Sequence, residues 1–195
     1  MKCIVLFAAP IVGIGCSGNE PRAARDAAAA ADVSDAASVF TLTSSGFLTL
    51  DGGGVVFPAS ASSPQNQSPP FSWSGAPAQT LSFALTFVDL DIDATKWVIW
   101  DIPSTASNLP PNVDQTTHPA SVPGATQLGS LGHVGYAGPG VPTYHRYEFQ
   151  LWALDVATLP GTVGQSTDQL RKMVLPPHAI AQTAPYVAEG KQGGP

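Results

Sequence analysis

Three carboxylates at alternate positions, Asp89, Asp91 and Asp93 in FVDLDIDATKWVIW, follow directly on an apolar run, with Lys96 close behind them. A further ionisable group, His145, opens HRYEFQLWALD. Carboxylates and an imidazole brought together can act as an acid–base pair, as metal ligands, or as hydrogen-bonding anchors for a small ligand. Which of these applies depends on where the chain places them. In TLSFALTFVD, Leu81, Phe83, Leu85 and Phe87 fall on one face at a period of two, and the next members of that series are Asp89 and Asp91. In HRYEFQLWALD, Tyr147, Phe149 and Leu151 share a face whose preceding member is His145, with Arg146, Glu148 and Gln150 opposite. Two core-facing series thus each end in ionisable groups. Strand ends lying together would make a polar pocket at the rim of an apolar core, where burial perturbs the Asp and His pKa values. The plainer alternative is an Asx-rich turn and a structural histidine.

Several other chemistries fit poorly. Asp89-x-Asp91-x-Asp93 imitates a calcium loop, but its sixth position is Ala94 rather than Gly and its twelfth is Trp100 rather than Glu. GSLGHVGYAGPG lacks the Gly-Lys-Ser/Thr of a P-loop, there is no Gly-x-Ser-x-Gly elbow, and His118, His133 and His178 lack ligand spacing. A metal on Asp89, Asp91 and His145 stays open as a lesser alternative; no metal and no cofactor are assigned. Both cysteines, Cys3 and Cys16, lie near the start of the chain, which leaves the remainder without disulfide, thiolate nucleophile or Cys-based metal site. With 14 acids against 8 bases and a net charge of −6, the chain has no basic cluster to meet a nucleic-acid backbone.

The elements that must position these residues read as mostly β. Charged residues are only 11%, and 19 Gly and 19 Pro suit a turn-rich β protein with long loops. VFTLTSSGFLTLDGGGVVF gives short runs split by Gly and Ser, and ASASSPQNQSPP is a polar loop. KWVIWDI is apolar on both faces, as in a strand covered on both sides. Residues 103–144 are rich in Pro and Gly and read as loop, of a length that is usually functional. STDQLRKMVL predicts one helix, with Ser166 as N-cap, Gln169 three residues on, and Pro176 and Pro177 as its stop.

The first residues read as a targeting segment. Lys2 precedes an apolar stretch over residues 3–15, too short for a membrane-spanning helix. It ends in VGIGC, which resembles a bacterial lipobox with Cys16 as the lipidated residue, although Gly13 stands where Leu is usual. The expected division is a signal segment over 1–16, an Ala-rich disordered tether over 17–38, and a folded domain over 39–195.

SPPFSWSGAPAQTLSFALTFVDLD, then KWVIWDIP, then GYAGPGVPTYHRYEFQLWALD together resemble the phosphatidylethanolamine-binding protein family, in its bacterial Raf-kinase-inhibitor-like branch. Ser68, Pro69 and Trp73 match the family's Ser-Pro-x-x-x-Trp. Asp89-Leu90-Asp91-Ile92-Asp93 stands at its Asp-Pro-Asp-x-Pro, and His145-Arg146-Tyr147 at its His-Arg-Tyr. The match runs in order from about residue 40 to 160. Beyond it, His178 and Tyr186 of PPHAIAQTAPY correspond loosely to a C-terminal His and Tyr. Both prolines of the acidic motif are absent, and Lys96 replaces the histidine before Trp.

The resemblance implies a Greek-key β-sandwich of antiparallel strands, with one or two short helices near the C-terminus. It also implies a small anion-binding cavity, lined here by Asp89, Asp91, Gly140, His145 and Tyr147. Lys96 either adds a permanent cation to that cavity or closes it against the acids; a retained pocket is the preferred reading. The expected activity is non-catalytic binding of a small anionic or phosphorylated ligand by a bacterial envelope lipoprotein, periplasmic or surface-exposed, anchored through Cys16. The rival readings are an inhibitor-type interaction module of a kinase or protease with a vestigial pocket, and a hydrolase using Asp89 and His145. A homodimer is compatible with either binding reading.

Overall fold

The computed structural model describes residues 38–195. The signal segment, Cys16 and all of the tether except Ser38 lie outside the described residues. Among the described residues, eleven strands form two sheets: β1 (Thr41–Thr43), β2 (Leu48–Thr49), β3 (Val55–Val56), β4 (Phe71–Ser74), β5 (Ser82–Asp89), β6 (Ala94–Pro103), β7 (Asn108–Leu109), β8 (Thr126–Gly129), β9 (His145–Leu154), β10 (Ala179–Gln182) and β11 (Tyr186–Gly190). The small sheet runs β1-β4-β7. The large one runs β2-β3-β11-β9-β5-β6-β8, with β10 also pairing β9. All pairings are antiparallel except β11 with β3, through Glu189 and Val56, a departure from the all-antiparallel expectation.

The sandwich core lies between the sheets. Phe71, Trp73 and Leu109 from the small sheet meet Phe83, Leu85, Phe87, Trp97, Tyr147 and Phe149 from the large one. Phe87 and Phe149 stack with centroids 4.4 Å apart, and Phe71 stands 4.7 Å from Phe149. The opposite face of the large sheet carries a second core, in which Ala84, Val98, Trp100 and Trp152 pack with Leu159, Leu170 and Leu175. Two covered faces explain why all eight residues of β5 are buried and why KWVIWDI is apolar on both sides. Leu81 departs from its expected place. Its N–H still bonds Leu154 O, but the residue precedes β5 and its side chain is 52% exposed at the sheet's end.

The predicted helix is a single α turn, α1 (Thr167–Gln169), continued by a π turn (Leu170–Val174). Ser166 and Gln169 form the expected reciprocal capping box, and Pro176 and Pro177 pass into a 3-10 turn. Asp168 Oδ1 accepts from Thr95 N and Oγ1, and Thr167 Oγ1 donates to Thr95 O, so this segment is tied to the start of β6.

The stretch expected to be loop contains β7 and β8. β8 is held by Gln127 rather than by an apolar pattern: its side chain is buried, accepts from Trp97 Nε1 at 2.8 Å and donates to Thr116 O at 2.7 Å. A polar residue satisfied inside the core leaves no periodicity to find. β10 and β11 also lack a clear alternating pattern. They form because they pair in succession along one side of β9.

Candidate functional site

The sheet register brings the two expected strand ends together. Asp89, the last residue of β5, pairs with Tyr147 of β9 on one side and with Ala94 of β6 on the other. Its carboxylate is almost fully buried and contacts His145 Nδ1 at 2.9 and 3.1 Å. Asp89 Oδ1 also accepts from Asp91 N at 3.2 Å, so the carboxylate organises an Asx-type turn. The plain turn reading and the site reading therefore describe one residue.

The other two acids leave the inward series. Asp91 lies in the turn with its side chain 36% exposed, not facing the core; Oδ2 accepts from Arg146 N at 2.6 Å and Oδ1 lies 3.7 Å from its guanidinium. Asp93 takes a left-handed backbone (φ 48°), which Asp tolerates better than most residues. It points outward to Arg171 at 2.6 Å and Lys172 at 2.8 Å, and these cations hold its carboxyl below the usual range. Neither acid makes an ion pair with Lys96.

Tyr147 packs beneath His145, with ring centroids 6.3 Å apart at 27°. Its hydroxyl is buried beside Asp89 but outside hydrogen-bond geometry. Burial first, and the adjacent negative charge second, hold the phenol far above its ordinary range.

Lys96 reaches the site through a β-bulge. Phe87 pairs with Trp97 but Val88 pairs with Thr95, which leaves Lys96 as the extra residue of β6. Strict alternation from Trp97 would send Lys96 to the opposite face of the sheet. A bulge re-aims the side chain instead, and Lys96 lines a cavity of about 250 Å³ together with Ser63, Asn66, Ser130, His133 and Gly140. The ammonium is half-buried and makes no ion pair or hydrogen bond among the described residues. Burial pulls its pKa down, and Asp89 partly offsets the shift.

Two wall segments are fixed by backbone contacts. Ser63 N donates to Pro139 O, and Gly138 N donates to Asn66 Oδ1 at 2.9 Å. A Cβ on Gly138 would collide with Ala61 O, whereas one on Gly140 would meet Ser63 Cβ at an ordinary 3.6 Å.

Lys96 and Gly140 thus share one cavity, whereas Asp89, His145 and Tyr147 gather against one another and do not line it. The sequence reading missed Ser63, Asn66, Ser130 and His133. Their only signal was position within the long polar loops. His178 does not join the site: it pairs with Asp155 at 3.2 Å, just past the far end of β9. Tyr186 pairs with Phe149 and packs on Phe47. Asp89, Asp91 and His145 can present three ligand atoms within 4.8 Å of one another. Both acids are already engaged, by His145 and by Arg146. A larger groove of about 590 Å³ runs beside β8 and contains neither Lys96 nor these acids.

Comparison with known proteins agrees with this architecture. The UPF0098 protein of Methanothermobacter thermautotrophicus is 41% identical over 97 residues, covering 47% of this chain and 62% of that protein. The UPF0098 protein YbcL of Escherichia coli is 35% identical over 103 residues, covering 49% and 56%. The matches therefore span less than two thirds of these relatives' length. The crystal structure of E. coli YbcL, described as a new member of the mammalian PEBP family, superposes with a TM-score of 0.64 at 25% identity, covering 78% of this chain and 98% of that one. A putative phosphatidylethanolamine-binding protein homologue from Chlamydia trachomatis gives a TM-score of 0.59 at 27% identity, covering 78% and 96%. The family profile described as phosphatidylethanolamine-binding protein matches residues 49–186. With the profile spanning most of the chain and the fold shared, the chain belongs to the phosphatidylethanolamine-binding protein family.

Proposed function

We propose that the Lys96 cavity binds a small anionic or phosphorylated ligand, such as phosphate or a phospholipid-headgroup-like phosphoester, without transforming it. The observation that carries this reading is Lys96 itself: a half-buried cation with no contacting carboxylate among the described residues, turned by a bulge into a polar cavity. A desolvated charge without a partner is costly, and an anion would supply the partner. Asp89 favours the charged form of Lys96, while its own oxygens are occupied by His145 and Asp91 N. The engagement of Asp89 with His145, away from the cavity lining, supports binding over acid–base turnover. The family's name is consistent with a phosphate-bearing ligand.

Calorimetry with inorganic phosphate and O-phosphoethanolamine tests this. Millimolar or tighter binding is expected, weakened in Lys96→Ala by about 1.5–3 kcal/mol, the contribution of a charge-assisted hydrogen bond. No binding by the wild type would put the interaction-module reading ahead.

We further infer that the folded domain begins near residue 39 and is anchored to the bacterial envelope through a lipid on Cys16. The apolar stretch and VGIGC ending support this. Cys16→Ser should then release the protein on membrane fractionation, since acyl burial contributes about 0.8 kcal/mol per CH₂. Membrane retention of that variant would refute it.

A further inference from the structure

We propose that the Lys96 cavity is an acid-strengthened receptor for tetrahedral dianions, in which His133 supplies the titrating charge. This rests on the anion-binding reading above. The histidine that sequence parity places at the site, His145, has Nδ1 committed to the Asp89 carboxylate at 2.9 Å and does not line the cavity. His133 does line it, on the same wall as Ser130.

The position of His133 is fixed through Lys96. Ser130 N donates to the Lys96 carbonyl at 2.9 Å, and His133 N donates back to Ser130 O at 3.1 Å. The turn between them uses left-handed backbone at Leu131 (φ 54°) and Gly132 (φ 81°). Gly129 anchors its base: a Cβ there would strike Gly135 O and crowd His133. The two basic residues that line the cavity therefore belong to one hydrogen-bonded backbone unit. One carries an ammonium and the other an imidazole, the side-chain type whose charge changes most readily in the physiological pH range.

The groups facing this imidazole are few. Lys96 shares the cavity wall with it, and Asp89, which acts on Lys96, does not line the cavity. Among the described residues, no carboxylate lines the cavity or the adjoining groove that His133 also borders. Lys191, on the C-terminal segment, sits over the Tyr144 ring at 4.8 Å instead. Protonated His133 beside Lys96 thus has no acid to neutralise it until an anion enters. By linkage, an anion that favours the protonated form binds more tightly as pH falls.

Sulfate isolates the protein's own titration, because it remains a dianion across the range. Calorimetry of the whole protein with sulfate from about pH 8 to 5.5 should show affinity rising by about 5- to 10-fold, as a partly exposed ion pair allows. His133→Gln should flatten that dependence, whereas His145→Gln, whatever its own affinity, should keep it. Because His145→Gln disturbs Asp89, proton NMR of the wild-type histidines gives an independent readout: sulfate should raise the His133 titration midpoint.

A pH dependence that survives His133→Gln overturns the proposal, as does a His133 midpoint unmoved by saturating sulfate. Sulfate binding with no pH dependence also refutes it while leaving the anion reading intact. No sulfate binding at any pH removes the anion reading and this inference with it.

Discussion

Replacing Lys96 with methionine should stabilise the fold and weaken the ligand together. Methionine keeps the length of the apolar stem and removes a charge that is half-buried without a contacting partner among the described residues. What is lost is the attraction of Asp89, which is not within ion-pair distance and contributes at most about 1 kcal/mol for a partly solvated pair. What is gained is relief from desolvation, so the net should fall among function-linked stabilisations of about 0.5–2 kcal/mol. For a domain of this size each kcal/mol moves Tm by roughly 2–4 °C. The pH sign follows from the depressed lysine pKa. Between the folded value and the unfolded value near 10.4 the unfolded chain binds more protons, so stability from this residue rises with pH through that window. The advantage of Lys96→Met should therefore be full below the folded value and shrink as pH approaches that of free lysine. Phosphate affinity at pH 7 should fall by about 10- to 150-fold. Melts by circular dichroism, paired with calorimetry, check both halves. A variant less stable than the wild type at pH 7 would mean that Lys96 holds the structure, and the reasoning would fail.

Phe149→Ala removes a fully buried ring stacked on Phe87 and tilted against Phe71 and should cost about 3–5 kcal/mol, read from urea unfolding. Gly138→Ala should lower Tm by several degrees and weaken phosphate binding, because its Cβ meets Ala61 O; Gly140→Ala should leave Tm close to wild type. Tyr136 and Tyr147 have raised phenol pKa values, so their contribution is full below about pH 10 and is lost as pH climbs through the folded values. In a jump to strongly alkaline pH, phenolate absorbance from these two should appear only at the rate of unfolding.

Period-two patterns made the central strands legible, because β5, β6 and β9 carry their burial in side-chain type. The same parity correctly placed Asp89 and His145 together. It failed at Asp91, since alternation ends where the strand does, and it could not place Lys96, whose orientation depends on a bulge in the pairing. β8 was hidden because a satisfied glutamine, not an apolar residue, fills its core position. His133, Ser63 and Asn66 were illegible for a related reason. Loop residues become neighbours through backbone bonds such as Ser63 N to Pro139 O, which leave no local spacing in the sequence.

The central claim is that an anion sits against Lys96. A crystal of the protein soaked in selenate, a tetrahedral dianion, and measured at the selenium edge would locate it directly. An anomalous peak is expected in the cavity between Lys96 Nζ and the Ser130–His133 wall. Selenate found only at exposed basic residues such as Arg146 and Lys172, with the Lys96 cavity vacant, would contradict it.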